Sequence, residues 1–182
     1  MINKKAVKEC NGLSVGDKVN DFRGIDQHGN KIQLSDLLKK GKVVLVFYRG
    51  QWCPICMPHL RKLQEGLAGI EDKGASIVII TPEKQENIQK TMLKTSITIP
   101  IIYDEKYKIM EDFDVAFLPS MGLRFVYNTM LRANLKNAQS DDSQTLPVPA
   151  TFIIDTNSKV KWRHFDRDYK KRSKINDILE NL

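Results

Sequence analysis

Residues 43–64, VVLVFYRGQWCPICMPHLRKLQ, constrain this chain more than any other stretch. Lys42 to Tyr48 is a near-continuous apolar run. Without polar alternation such a run implies a strand covered on both faces, as in a central parallel strand. Arg49-Gly50-Gln51 breaks it. From Pro54 the sequence predicts a helix to about Lys73, with Leu60, Leu63, Leu67 and Ile70 as its core stripe and Gly74 as its C-terminal cap. Cys53 and Cys56 therefore fall at a strand-to-helix junction, two residues apart, in a chain with only one other cysteine.

That placement points to disulfide chemistry. The thiolate is the nucleophile, so its pKa must fall from about 8.5 towards neutrality. A helix N-terminus favours the anion through free N–H groups and the helix dipole. Pro54 suits the first helical position, where its missing N–H has no partner to lose. The i, i+3 spacing brings the two sulfurs together, so the pair can close into a disulfide. His59 shares the helical face of Cys56 and is a candidate to take its proton, or else a packing histidine. Arg49 is placed to stabilise a thiolate or bind an oxidised substrate, and Trp52 to shield the pair. The strand before the cysteines holds no Asp or Glu to tune them. A non-enzymatic alternative is copper or zinc held by Cys53, Cys56 and His59 or His164. The redox reading itself needs no metal and no cofactor. Cys10 reads as an incidental surface thiol, and His28 as an exposed turn residue.

The rest of the chain supplies strands and helices to surround this segment. Residues 1–14 form a polar arm without periodicity, and 15–182 read as one domain. A hairpin turns at Asp26–Asn30, with Gly29 or Asn30 at positive φ. Ser35 is the expected N-cap of a short helix ending near Gly41. Ala75–Ile80 is a second buried strand, parallel to the first because a helix separates them. Polar helix (Glu83–Lys94), short strand (Ile97–Tyr103), short helix (Glu105–Phe113) and brief extended piece (Val115–Phe117) follow. Helical spacing through Ser120–Asn137 marks 118–146 as a helical insertion. Leu146–Asp155 and Lys159–Phe165 form a hairpin, and Ser173–Leu182 an amphipathic helix. The net charge of +7 is spread along the chain and denser from Lys159 to Lys174. A nucleic-acid surface more often interleaves its charge with exposed aromatics, so this charge reads as a solvated face, or else as a match for acidic partners or anionic substrates. No apolar run reaches membrane-spanning length, and no secretory leader is visible, so a cytoplasmic protein is expected.

Phe47-Tyr48-Arg49-Gly50-Gln51-Trp52-Cys53-Pro54-Ile55-Cys56, Ile80-Thr81-Pro82 and Val148-Pro149-Ala150-Thr151 together resemble the thioredoxin-fold alkyl hydroperoxide reductase/thiol-specific antioxidant (peroxiredoxin-like) family. The resemblance covers roughly residues 15–182. It implies a thioredoxin-like three-layer α/β/α sandwich with a central mixed sheet. It also implies a cis peptide before Pro149 facing the cysteines, with Val148 offering backbone groups to a bound partner. The implied partners are a disulfide or hydroperoxide substrate, a thioredoxin- or glutathione-type thiol donor, and a second copy in a homodimer. Against the family's Pro-x-x-x-Thr/Ser-x-x-Cys pattern, Arg49 replaces the proline and Cys53 the peroxide-holding threonine. That departure favours thiol–disulfide oxidoreductase over peroxidase. It leaves the attacking thiol open between Cys53, at an exposed helix start, and Cys56.

Overall fold

Val43–Phe47 has no side chain suited to water, and the structure gives it none to meet. In the computed structural model, which describes residues 5–182, all five residues are buried. The first four residues of the expected arm lie outside the described part. In chain order the elements are β1 (Arg23–Ile25), β2 (Lys31–Gln33), α1 (Leu34–Leu38), β3 (Val43–Phe47), α2 (Cys56–Glu65), α3 (Leu67–Asp72), β4 (Ser76–Thr81), α4 (Gln85–Thr95) and β5 (Ile101–Tyr103). Then come α5 (Lys108–Asp112), β6 (Ala116–Phe117), α6 (Met121–Thr129), α7 (Leu135–Ala138), β7 (Leu146–Pro147), β8 (Ala150–Ile154), β9 (Val160–Phe165) and α8 (Ile175–Asn181). The central sheet runs β5-β4-β3-β8-β9, with β3 in the middle. β3 is parallel to β4 and antiparallel to β8, so the sheet is mixed. The parallel pairing follows from the α2–α3 crossover, as the sequence predicts.

Strand alternation sends β3 side chains to opposite layers. Phe47 joins Phe113 and Phe152 in a ring cluster with centroids 5.2, 6.0 and 5.1 Å apart. On the other side Tyr48, next in sequence, meets Thr91 of α4 through a 3.1 Å hydrogen bond.

Several local expectations need correction. The helix after the cysteines begins at Cys56, not Pro54: residues 53–55 form a turn closed by Cys56 N–H donating to the Cys53 carbonyl at 3.1 Å. It also breaks at Gly66, a residue with low helix propensity that the position requires, since a β-carbon there would sit 2.2 Å from Ile175 of the packed α8. Ser35 is inside α1 and does not cap it; the Asp21 carboxylate accepts its N–H at 2.9 Å, a partner fourteen residues away. Gly29, at φ +86°, takes the hairpin turn. The stretch 118–146, expected as a helical insertion, carries two helices broken where Arg132 and Asn134 adopt positive φ. Among the described residues every peptide bond is trans, including Val148–Pro149. Trans is the lower-energy X–Pro isomer by about 0.5–1 kcal/mol. Val148 is buried with its N–H donated to the Val115 carbonyl at 2.7 Å, so that group is already used within the chain. Cys10 is fully buried, its thiol donating to the Ala116 carbonyl at 3.2 Å, because the arm is tied down. Arg163 holds the carbonyls of Asn11, Gly12 and Leu13.

The ring cluster and the exposed helix face set a stability contrast. Phe152→Ala should lower unfolding free energy by about 3–5 kcal/mol. Leu93→Ala, at a side chain 86% exposed, should change it by no more than about 0.5 kcal/mol. Urea unfolding of both variants checks this.

Candidate functional site

β3 delivers the chain to the site at Arg49, and β8 begins alongside. Val46 pairs with Thr151, which sets Pro149 next to the segment leaving β3 for the cysteines. The two thiols are free and each only 1% exposed. Cys53 is thus not at an exposed helix start: it precedes the helix and lies under a cover. Trp52 packs on Tyr127 of α6 at 5.1 Å, so α6 reaches the residue next to Cys53.

Arg49 is 2% exposed. Its guanidinium lies 4.9 Å from the Trp52 ring, 4.5 Å from Tyr127 and 4.7 Å from Tyr169. Nε and Nη2 have no hydrogen-bond partner among the described residues. A second cation arrives from the segment before α8: Arg172 donates from Nη2 to Cys56 Sγ at 3.4 Å.

These charges split the two thiols. Cys53 is lowered to about 6, first by a hydrogen bond from the Cys56 thiol and then by Arg49 and Arg172, against the opposing effect of burial. Cys56 is pushed well above the ordinary thiol range by burial and by its bond to Cys53. Near neutral pH the pair therefore holds a thiolate at Cys53 and a thiol at Cys56.

A buried acid does stand near the pair, from outside the strand where one was sought. Glu83 follows β4 and is fully buried. Its Oε2 accepts the Gln51 N–H at 2.7 Å, while Oε1 has no partner among the described residues. Burial raises its pKa to about 8, and the nearby Cys53 adds to the shift. Gly50, at φ +153°, lets the chain pass: a β-carbon there would lie 2.5 Å from Trp52 Nε1 and 2.6 Å from Glu83 Oε1.

His59 bonds elsewhere than to the sulfurs. Its Nε2 lies 3.1 Å from the Ser173 carbonyl, and burial together with Arg172 lowers its pKa to about 4. It is a neutral packing group that fixes the segment carrying Arg172. Ser173 is held from the other side by Thr151, hydroxyl to hydroxyl at 2.8 Å. His164 pairs with Thr151 across β8–β9 and lies near enough to His59 to lower its pKa. Its neighbour Arg163 points the other way, to the arm. Among the described residues no group of three or more His, Cys, Asp or Glu side chains is arranged to hold a metal ion, so the copper or zinc alternative gains no support. Pro54 is exposed, in the turn between the cysteines. Sequence reasoning missed Glu83, Tyr127, Tyr169 and Arg172. Only the third-dimension return of three separate segments brings them here.

The mixed sheet, its flanking helices and a paired-cysteine turn at the end of the central strand define a thioredoxin-like protein. The AhpC/TSA family model matches residues 15–163, and the chain belongs to that family. Among its relatives, the thiol-disulfide oxidoreductase ResA of Bacillus cereus is 29% identical over 112 residues, 61% of this chain and 64% of the relative. A putative peroxiredoxin bcp of Helicobacter pylori is 33% identical over 97 residues, 53% of this chain and 63% of the relative. The matches thus span just under two thirds of those relatives. Peroxidoxin BcpB from Mycobacterium tuberculosis superposes with a TM-score of 0.70 at 23% identity, covering 93% of this chain and 96% of that one. The thioredoxin domain of a Bacteroides vulgatus thiol-disulfide oxidoreductase gives 0.61 at 16% identity, covering 92% and 97%. Among the described residues no helix is long and apolar enough to cross a membrane.

The opposed shifts give a pH signature. Folded Glu83 holds its proton to about 8, against 4.5 as the ordinary value, so its contribution to stability falls as pH rises across that window. Folded Cys53 loses its proton near 6 rather than 9, so its contribution rises with pH from about 6 upward. His59, depressed from 6.5 to about 4, adds stability only as pH rises through that lower window. Between pH 6.5 and 8 the Glu83 and Cys53 slopes oppose each other. Glu83→Gln removes the falling one, and its stability should climb by roughly 1–2 kcal/mol over that interval while the unmodified protein stays nearly flat. Urea unfolding at a series of pH values checks this.

Proposed function

We propose that this protein is a thiol–disulfide oxidoreductase in which Cys53 attacks and Cys56 resolves. The observation that carries the reading is the buried pair of free thiols with Arg172 donating to the Cys56 sulfur and Arg49 on the chain leading to Cys53, which together with burial set Cys53 below Cys56 in pKa. The Cys53 thiolate attacks one sulfur of a substrate disulfide. The S–S bond breaks, and the departing thiolate takes a proton. Cys56 then loses its proton and attacks Cys53 in the mixed disulfide. This releases the second substrate thiolate and leaves the Cys53–Cys56 disulfide, with the substrate reduced by two electrons. Glu83, protonated near neutrality and close to Cys53, is the internal group suited to supply the first proton. A thiol donor returns the pair to the dithiol. The cytoplasm, where thiols are kept reduced, is the setting this cycle fits.

Burial favours a second reading, reduction of hydroperoxides. At 1% exposure under Trp52 and Tyr127, the pair admits a small electrophile with less opening than a folded protein's disulfide needs. There Cys53 takes one oxygen to become a sulfenic acid, the alcohol leaves, and Cys56 condenses with it to give water and the same disulfide.

Both readings assign the same roles to the two sulfurs. Cys53→Ser should abolish turnover. Cys56→Ser should stop it after one step, leaving a mixed disulfide with a model disulfide or a sulfenic acid with peroxide, each visible as a mass increase on Cys53. Labelling at Cys56 in the Cys53→Ser protein instead would reverse the assignment. Stopped-flow reaction of the reduced protein with peroxide and with a small disulfide separates the two activities: the faster substrate identifies the chemistry.

A further inference from the structure

α6 (Met121–Thr129) is turned inside out for a surface helix. Such a helix ordinarily buries an apolar stripe and shows polar residues to solvent. Here Tyr127 alone is buried, with Arg124 and Asn128 half-buried beside it. The outward positions are apolar. Met121 is 80% exposed, Phe125 69% and Met130, just past the helix, 77%, with Leu123 and Val126 exposed between them. Of the eight large apolar side chains exposed among the described residues, these five fall within positions 121–130. Apolar residues exposed singly need no explanation, but a cluster of them marks a surface that something covers.

The charge beside the cluster indicates what covers it. No Asp or Glu occurs between Asp114 and Asp141, while Arg124, Arg132 and Lys136 all do. None of these three cations is in a salt bridge among the described residues. At the C-terminal end of α6, Arg132 and Lys136 line an open depression of about 470 Å³ together with Asn128, Asn134 and Asn137, and no carboxylate lines it. An apolar helix face with cations beside it suits a membrane interface, where acyl chains receive the apolar side chains and phosphates receive the cations. A second copy of this chain fits worse. A two-fold contact would set the same acid-free stretch against itself, with like charges facing and no carboxylate from that stretch to pair them.

We propose that residues 121–136 form a docking surface for an anionic lipid membrane. Met121, Phe125, Val126 and Met130 enter below the headgroups, and Arg132 and Lys136 hold a lipid phosphate in the depression. On the inner side of the same helix Tyr127 packs against Trp52, the residue next to Cys53. The membrane thus lies against the outer side of a helix that reaches the redox site. The inference does not rest on the redox cycle, since neither cysteine takes part in it.

The test is flotation of the reduced full chain with vesicles of phosphatidylcholine alone and of an equal mixture with phosphatidylglycerol. At low salt the anionic vesicles should capture at least about tenfold more protein, as a few cations near a charged surface allow, and the difference should shrink at high salt. Phe125→Ser/Met130→Ser should lower capture by about tenfold or more, because the apolar anchors are gone. Arg132→Gln/Lys136→Gln should bring capture by anionic vesicles down to the neutral level. Leu93→Ser, at an exposed apolar residue of α4, should bind as the unmodified protein does. Circular dichroism and the urea midpoint confirm that each variant is folded. Equal capture by the two kinds of vesicle, no capture by either, or capture unchanged in Phe125→Ser/Met130→Ser would overturn the proposal. So would sedimentation velocity showing a dimer that this double variant dissociates, which would assign the face to a second copy.

Discussion

Arg49 and Cys53 leave water together. Desolvating one ion costs several kcal/mol. A cation over an aromatic ring returns only about 0.5–2 kcal/mol. Three rings around Arg49 therefore reduce the penalty without settling it, and its Nε and Nη2 gain no hydrogen bond from the described residues. A thiolate at Cys53 answers the charge. The arginine makes the anion favourable, and the anion makes a buried arginine tolerable. Trp52, Tyr127 and Tyr169 keep water out, which strengthens the attraction between the two. Glu83 does not compete for the cation near neutrality, because its own burial keeps much of it protonated.

The sheet is what lets so many separate segments meet. β3 ends at the site, β4 runs beside it in the same direction, and both release their chains at the same edge. That parallel geometry puts Glu83, just past β4, against Gln51, just past β3. Antiparallel β8 starts at the same edge, and Thr151 on it anchors Ser173. Tyr127 comes from α6 and Tyr169 from the chain between β9 and α8. The site is thus one end of a sheet with two later segments folded over it. Its rigidity derives from the sheet and its cover from the loops, the division of labour expected of functional sites.

The parts of this arrangement legible in the sequence are those written in local pattern. An unbroken apolar run gave away β3, and the crossover length its parallel neighbour. Two cysteines after that run marked the reactive centre. What was not legible depends on contacts between distant positions. Position 66, where the helix breaks, has to be glycine because Ile175, more than a hundred residues on, packs against it. Ser35 looks like a cap, yet Asp21 does that work through tertiary proximity. Cys10 sits in a polar arm, and polarity says surface; the arm is nevertheless pinned by Arg163, which buries it. Glu83 reads as the start of a polar helix, where a buried and protonated acid has no local signature.

The order of acidity between the two thiols follows from comparing magnitudes. Cys56 opens α2, so the helix dipole favours its anion, not that of Cys53. That effect is about 0.3–1 kcal/mol at ordinary sites. One pKa unit is about 1.4 kcal/mol, so the dipole is worth less than a unit. Against it stand the burial of Cys56 and its role as donor in the bond to Cys53, which stabilises the anion at Cys53 alone. Arg49 and Arg172 act on the Cys53 anion with full charges in a poorly screened interior, while the pull of Arg172 on Cys56 is outweighed by that thiol's burial. The stronger local partners win, and the more acidic thiol is the cysteine before the helix. A chain that kept the helix start and both cysteines but lost the two arginines would keep the reactive pair's geometry while losing much of the reason for its polarity.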